Sequence, residues 1–130
     1  MQRSLKYLRA LGFTVGIVER YVSFYGGQPG GYRQDLFGFA DLIAIRREDI
    51  WFIQCTTETG MSSHWTKMRK AEKRSKGKDG NVKITSFRSE LEAVLGSGIT
   101  VYLWGWKKGA HEPIVRKFTL ADFPPLELPF

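Results

Sequence analysis

Leu5, Leu8 and Leu11 recur at helical intervals with Gly12 as a stop, so the pattern predicts a first helix from Arg3 to Leu11. Phe13 to Val22 (FTVGIVERYV) is β-branched and aromatic, the composition of a first strand. The following SFYGGQPGGYRQDLF holds four glycines and a proline and is expected to be a functional loop without regular structure. FADLIAIR predicts a second strand, RED a tight turn and IWFIQCTT a third strand. Ser62 or Ser63 suits the cap of a helix from about His64 to Ser75, with KGKDGN a flexible, charged connection after it. Phe87, Leu91, Val94 and Leu95 then share one face of a helix over Ser86 to Leu95, closed by GSG. ITVYLWGW and IVRKFTL read as two last strands around the turn KKGAHEP, and the proline-rich ADFPPLELPF is expected to lie over the surface.

Helix, three strands, one or two helices and two strands imply an α/β fold, a central sheet covered by helices. At 130 residues the chain is long enough for one hydrophobic core and too short for two, so residues 1–130 are expected to be a single domain.

The two central strands can be registered from their turn. Facing residues of a tight antiparallel hairpin carry numbers with a constant sum, and a turn centred between Arg47 and Glu48 sets Asp41 opposite Gln54. Strand side chains alternate, so Gln54 and Thr56 share a face. Asp41, Gln54 and Thr56 then line one patch at the open end of the hairpin, where the glycine-rich loop delivers Asp35 and the first strand brings Glu19. Asp and Gln among Ile, Leu, Ala and Phe call for partners, because burying either unpaired costs about 1–3 kcal/mol. Carboxylates and a carboxamide oxygen make a hard, oxygen-rich site suited to Mg²⁺ or Mn²⁺ and not to zinc. His64 and His111 lack metal-ligand spacing with each other, although His64 lies near enough to the patch to be considered as a base.

Asp41 at the head of the second strand, with Gln54-Cys55-Thr56 beyond the hairpin, resembles the PD-(D/E)XK nuclease motif. The words DLFGFADLIAI and IQCT are similar to small phage and bacterial proteins of that superfamily, which includes the archaeal-type Holliday junction resolvases and the VRR-NUC nucleases. The resemblance runs from about Leu5 to Trp106. It implies a restriction-endonuclease-like αβββαβ core with a mixed sheet, extended at 107–130 by a strand and the proline-rich tail. It also implies a Mg²⁺- or Mn²⁺-dependent endonuclease that hydrolyses DNA, branched or single-stranded forms included. On that reading Asp41 is the central metal ligand, Gln54 the second, and Asp35 or Glu19 the third. Thr56 holds a water, and Lys67 or Lys70 supplies a cation. The chain departs from the motif in having Ala40 for the proline, Gln54 for the second acid and Thr56 for the lysine. Those departures leave open an alternative: a catalytically inactive nuclease fold acting as a DNA-binding or regulatory module.

Charge sharpens the expected partner. The formal net charge is +7 and the pI about 9.7, a balance that favours polyanions. Between His64 and Arg88, nine cations (Lys67, Arg69, Lys70, Lys73, Arg74, Lys76, Lys78, Lys83 and Arg88) face only Glu72 and Asp79, so the whole excess resides there. Lys67, Lys70 and Arg74 are expected to form a stripe along the helix that follows a DNA backbone, flanked by Arg69, Lys73, Lys76 and Lys78. Trp104 to Lys108 mixes aromatic and basic residues at a strand end, where packing is the expected role. A single cysteine, Cys55, precludes an internal disulfide and is expected to be a reduced, buried thiol. No apolar run approaches a membrane span, and an intracellular location is expected. A homodimer would fit a small enzyme that cuts two strands.

Overall fold

Alternating residues of the third predicted strand pack into different layers. The computed structural model, which describes residues 1–77 and 79–123, shows them on opposite faces of a five-stranded sheet. The elements run α1 (Gln2–Ala10), β1 (Thr14–Ile17), β2 (Arg20–Ser23), β3 (Gly31–Gln34), β4 (Leu42–Arg46), β5 (Asp49–Thr57) and α2 (Met61–Lys70). They continue with β6 (Glu72–Lys76), β7 (Val82–Ser86), α3 (Arg88–Gly96), β8 (Thr100–Trp106) and β9 (Ile114–Phe118). The sheet order is β1-β4-β5-β8-β9, with β5 and β8 parallel and every other pair antiparallel. The described residues thus form a single α/β domain with a mixed five-stranded sheet, two two-stranded ribbons (β2–β3 and β6–β7) and three α-helices. No helix among the described residues is long and apolar enough to cross a membrane.

On one face, Phe52, Val101 and Leu103 meet Trp65 and Met68 of α2 and Leu91 and Val94 of α3, with Phe39, Phe87 and Phe118 completing the core. On the other, Leu42, Ala44, Ile53 and Trp104 meet Leu5 and Leu8 of α1. Leu103 is fully buried in β8, between β5 and β9. Leu103→Ala is expected to lower stability by about 2–5 kcal/mol in urea denaturation, because its neighbours are held by strands on both sides and cannot collapse onto the void.

Four expectations are corrected by the structure. The single first strand is two, β1 and β2, divided at Val18–Glu19, where both backbone N–H groups turn to donate to the Asp41 carbonyl. The glycine-rich stretch is not an irregular loop: β2 and β3 pair across it as a hairpin around a 3₁₀ turn at Tyr25–Gly27. The second helix begins at Met61, not His64, after a turn in which the Thr57 hydroxyl accepts from the Gly60 N–H, so neither Ser62 nor Ser63 caps it. It also ends at Lys70, because Ala71 takes the left-handed conformation (φ 53°) and reverses the chain. Lys73, Arg74 and Lys76 therefore lie on β6 of a β6–β7 ribbon, not on a helix, and Gly77 and residues 79–81 of KGKDGN fall between its two strands. Lys78, the Lys76 side chain and the proline-rich segment 124–130 lie outside the described residues.

Candidate functional site

The register expected from the turn is the one observed: Leu42 pairs with Ile53 and Arg46 with Asp49, and the Asp41 N–H donates to the Ile53 carbonyl. Asp41 therefore stands beside Gln54 just where β4 begins. Its carboxylate accepts from the Cys55 backbone N–H at 2.8 Å and from Gln54 Nε2 at 3.2 Å. Both residues are buried, at 5% and 7% exposure. Gln54 spends its nitrogen on Asp41, so its oxygen is the end left for another partner.

Two local devices bring the other carboxylates in. The Val18 and Glu19 N–H groups share the Asp41 carbonyl, at 2.9 and 3.3 Å, which draws Glu19 to the start of β4. Asp35 and Asp41 flank a short loop closed by reciprocal bonds between Leu36 and Ala40, with Phe37 (φ 54°) and Gly38 (φ 84°) supplying the left-handed turn. The result is that carboxylate oxygens of Glu19, Asp35 and Asp41 lie within 4.8 Å of one another. Burial, with the hydrogen bond and the charge of Asp35 next, lifts the Asp41 carboxyl to about 8; Glu19 adds to this, and the Cys55 N–H opposes it. Three carboxyl groups this close hold a proton when nothing else neutralises them, and a hard divalent cation relieves the same repulsion. The donor set is oxygen only and anionic, with carboxylates from three separate segments, the chemistry that suits a hard divalent cation.

The triad sits in a cleft of about 990 Å³, also lined by Gln54, Cys55 and Thr56. Thr56 is half-buried, its hydroxyl close to Gly60, where a Cβ would stand 2.5 Å from Oγ1. Cys55 is half-buried rather than enclosed; its thiol donates to Ser4 Oγ, and burial pushes it up to about 11. Cations reach the rim from places the sequence did not single out for this role. Arg33 of β3 pairs with Glu19 at 3.6 Å. Lys107 and Lys108 follow β8, beside Arg3, which lies over the Trp106 ring and donates to the Lys107 and Ala110 carbonyls. Trp106 in turn donates to Ser4, so α1 fixes this basic turn at the cleft edge. Alternation along β3 gives Arg33 a face but not a place in space, because a stretch so rich in glycine reads as a loop.

Lys67 and Lys70 do not line the carboxylate cleft. They face a second cavity of about 320 Å³ with Ser63, His64, Thr66, Glu72 and Arg74. His64 lies between the two regions: burial and Lys67 lower its pKa, while Asp35 opposes them. Arg69 is directed elsewhere, donating to the Asp122 carbonyl. Comparison of the chain with protein-family models, curated proteins and solved structures finds no match. The site's chemistry thus rests on its own residues.

Gln54→Glu tests the donor set directly. A fourth carboxylate beside Asp41 is expected to tighten Mn²⁺ binding by about tenfold and to lower the metal-free melting temperature near pH 8, read by calorimetry and thermal melting. Unchanged Mn²⁺ affinity would place Gln54 outside the coordination sphere.

Proposed function

We propose that the protein is a metal-dependent DNA endonuclease with a restriction-endonuclease-like core of the PD-(D/E)XK type. The observation that carries this reading is the convergence of Glu19, Asp35 and Asp41 within 4.8 Å at the end of a hairpin that also presents Gln54 and Thr56. The element order α1, β1, β4, β5, α2, β8 supports it, since the sheet strands and their flanking helices follow the αβββαβ sequence implied by the motif.

Asp41, Asp35 and Glu19 would hold Mg²⁺ or Mn²⁺, with the Gln54 carbonyl as a neutral fourth oxygen. Such an ion, when bound, supplies a water of lowered pKa and neutralises the phosphodiester and its leaving oxygen. Thr56 has a hydroxyl in the same cleft to orient a water. Lys107 and Lys108 are the rim cations placed to hold a phosphate, and Lys67, Lys70 and Arg74 offer a second basic surface for the backbone that continues past His64.

One observation favours a second reading. Thr56 occupies the motif's lysine position, and Lys67 and Lys70 lie on the other cavity. A fold that binds DNA without cutting it would carry such a change. The readings separate on a panel of labelled single strands, duplexes, forks and four-way junctions incubated with Mg²⁺, Mn²⁺ or EDTA. The nuclease reading expects cleavage that EDTA abolishes and a Mn²⁺ binding isotherm by calorimetry. Tight binding with no cut in any condition would leave the module.

A further inference from the structure

We propose that the β6–β7 ribbon is an arm that enters the major groove of B-form DNA, so that the substrate of the site proposed above carries a duplex segment on the α2 side. The inference deepens that reading and rests on it for the role of the cleft, but the binding it describes needs no cleavage.

The ribbon stands apart from the main sheet: among the described residues β6 and β7 pair only with each other, from Glu72 opposite Ser86 to Lys76 opposite Val82. From 72 to 86 the sequence carries five cations (Lys73, Arg74, Lys76, Lys78 and Lys83) against Glu72 and Asp79, and no aromatic residue. Directly paired residues project to the same side, so Arg74 shares a face with Ile84, and Val82 lies two residues along it. Val82 is 61% and Ile84 55% exposed, so neither serves the core. The same face continues into the second cavity through Arg74, which meets Lys67 and Lys70 of α2 there. A concave cationic wall beside exposed aliphatic side chains on a ribbon is complementary to a polyanion with methyl groups in its groove.

The dimensions and the residue types select the occupant. A B-form major groove, about 12 Å wide, admits a two-stranded ribbon, and its thymine methyls are contacted by aliphatic side chains. Five residues per strand span roughly 16 Å. The A-form major groove of RNA is too narrow and deep for such entry. Single strands are held chiefly by aromatic stacking, for which this ribbon has no residue.

The arm is also registered to the carboxylates. Its base is closed by the Phe87 N–H on the Ala71 carbonyl at 2.8 Å, and Phe87 stacks on Phe39 with ring centroids 5.7 Å apart. Gly38, in the loop between Asp35 and Asp41, lies against Phe87 and the Lys73 stem; a Cβ there would stand 3.2 Å from the Phe87 ring. A duplex gripped by the ribbon is therefore held at a fixed distance from the cleft.

The test is fluorescence anisotropy in EDTA with a B-form duplex, the corresponding single strand and an RNA duplex, supported by thermal melts to verify folding. Val82→Ser/Ile84→Ser is expected to weaken duplex DNA binding at least tenfold while changing single-strand binding less than twofold. Arg74→Gln/Lys70→Gln, which keeps the aliphatic face and removes two cations of the second cavity, is expected to reduce the slope of log affinity against log salt by about 1.8, or about 0.9 for each phosphate no longer neutralised. Equal losses on all three nucleic acids, or none, overturn the proposal. So does a change of oligomeric state in the serine variant with duplex affinity intact, which would make the face an interface between copies. Cleavage assays with Mn²⁺ on the same proteins separate the two readings: a parent that cuts, with duplex binding insensitive to the ribbon, loses only the arm. A parent that never cuts but shows the selective loss retains the arm and loses the nuclease.

Discussion

Asp41→Asn is expected to reduce metal-dependent DNA cleavage by about a thousandfold or more without unfolding the protein. Asparagine preserves the shape of the side chain and an oxygen for the Cys55 N–H, which now bonds the carboxylate at 2.8 Å. What it removes is the central charge of a triad whose oxygens lie within 4.8 Å. Stabilisation by a bound cation is worth several kcal/mol in a phosphoryl-transfer transition state, and about 4 kcal/mol corresponds to a thousandfold in rate. The substitution also relieves the crowding of Asp35 against Asp41, so the metal-free variant is expected to melt higher than the parent near pH 8. Single-turnover cleavage and thermal melting read the two effects. A variant that cuts at the parent's rate would remove the carboxylate cluster from the mechanism.

The second large effect is in pH. The Asp41 carboxyl titrates at about 8 in the folded chain, raised mainly by burial and then by Asp35, against about 3.9 for an unfolded aspartate. The folded state therefore binds a proton that the unfolded state releases across that window. The stabilisation this gives is fully present below about pH 4 and is lost as pH rises through 8. A divalent cation has the opposite preference, since it binds the deprotonated carboxylate. Its affinity is expected to rise about tenfold per pH unit well below 8, hence about fiftyfold from pH 6 to pH 8, and then to level off. Calorimetric Mn²⁺ titrations at several pH values measure this. An affinity flat over that interval would mean that no proton is displaced from Asp41.

The hairpin that builds the site was legible because its register depends only on the position of a tight turn and on the alternation of side chains. That arithmetic placed Asp41 beside Gln54 and put Thr56 on the same side. The cores were legible too, since Leu5 and Leu8, or Leu91 and Val94, recur at helical intervals. The β6–β7 ribbon was not. EKRSK has no apolar alternation, and a strand exposed as Val82 and Ile84 are leaves no hydrophobic period to read. The end of α2 was hidden for a related reason: Ala71 favours helix by propensity, and its left-handed turn is imposed by the hydrogen bond with Phe87 that closes the ribbon. Glu19 was within reach of the site, but the break that delivers it depends on the Asp41 carbonyl, a backbone interaction that side-chain patterns do not record.

The parallel pairing of β5 with β8 bears on how the chain reaches this state. Trp51 aligns with Thr100 and Thr57 with Trp106, partners about fifty residues apart, and the closure entropy of that segment precedes any gain from the pairing. The β4–β5 hairpin needs only a short turn, so the carboxylate of Asp41 can meet Gln54 early in a refolding reaction. The cleft wall contributed by Trp106, Lys107 and Lys108 has to await the distant strand. Topology thus sets the pace. Refolding is expected on the slower millisecond-to-second scale of non-local sheets, and competence to hold a phosphate should appear with burial of the β8 tryptophans and not before.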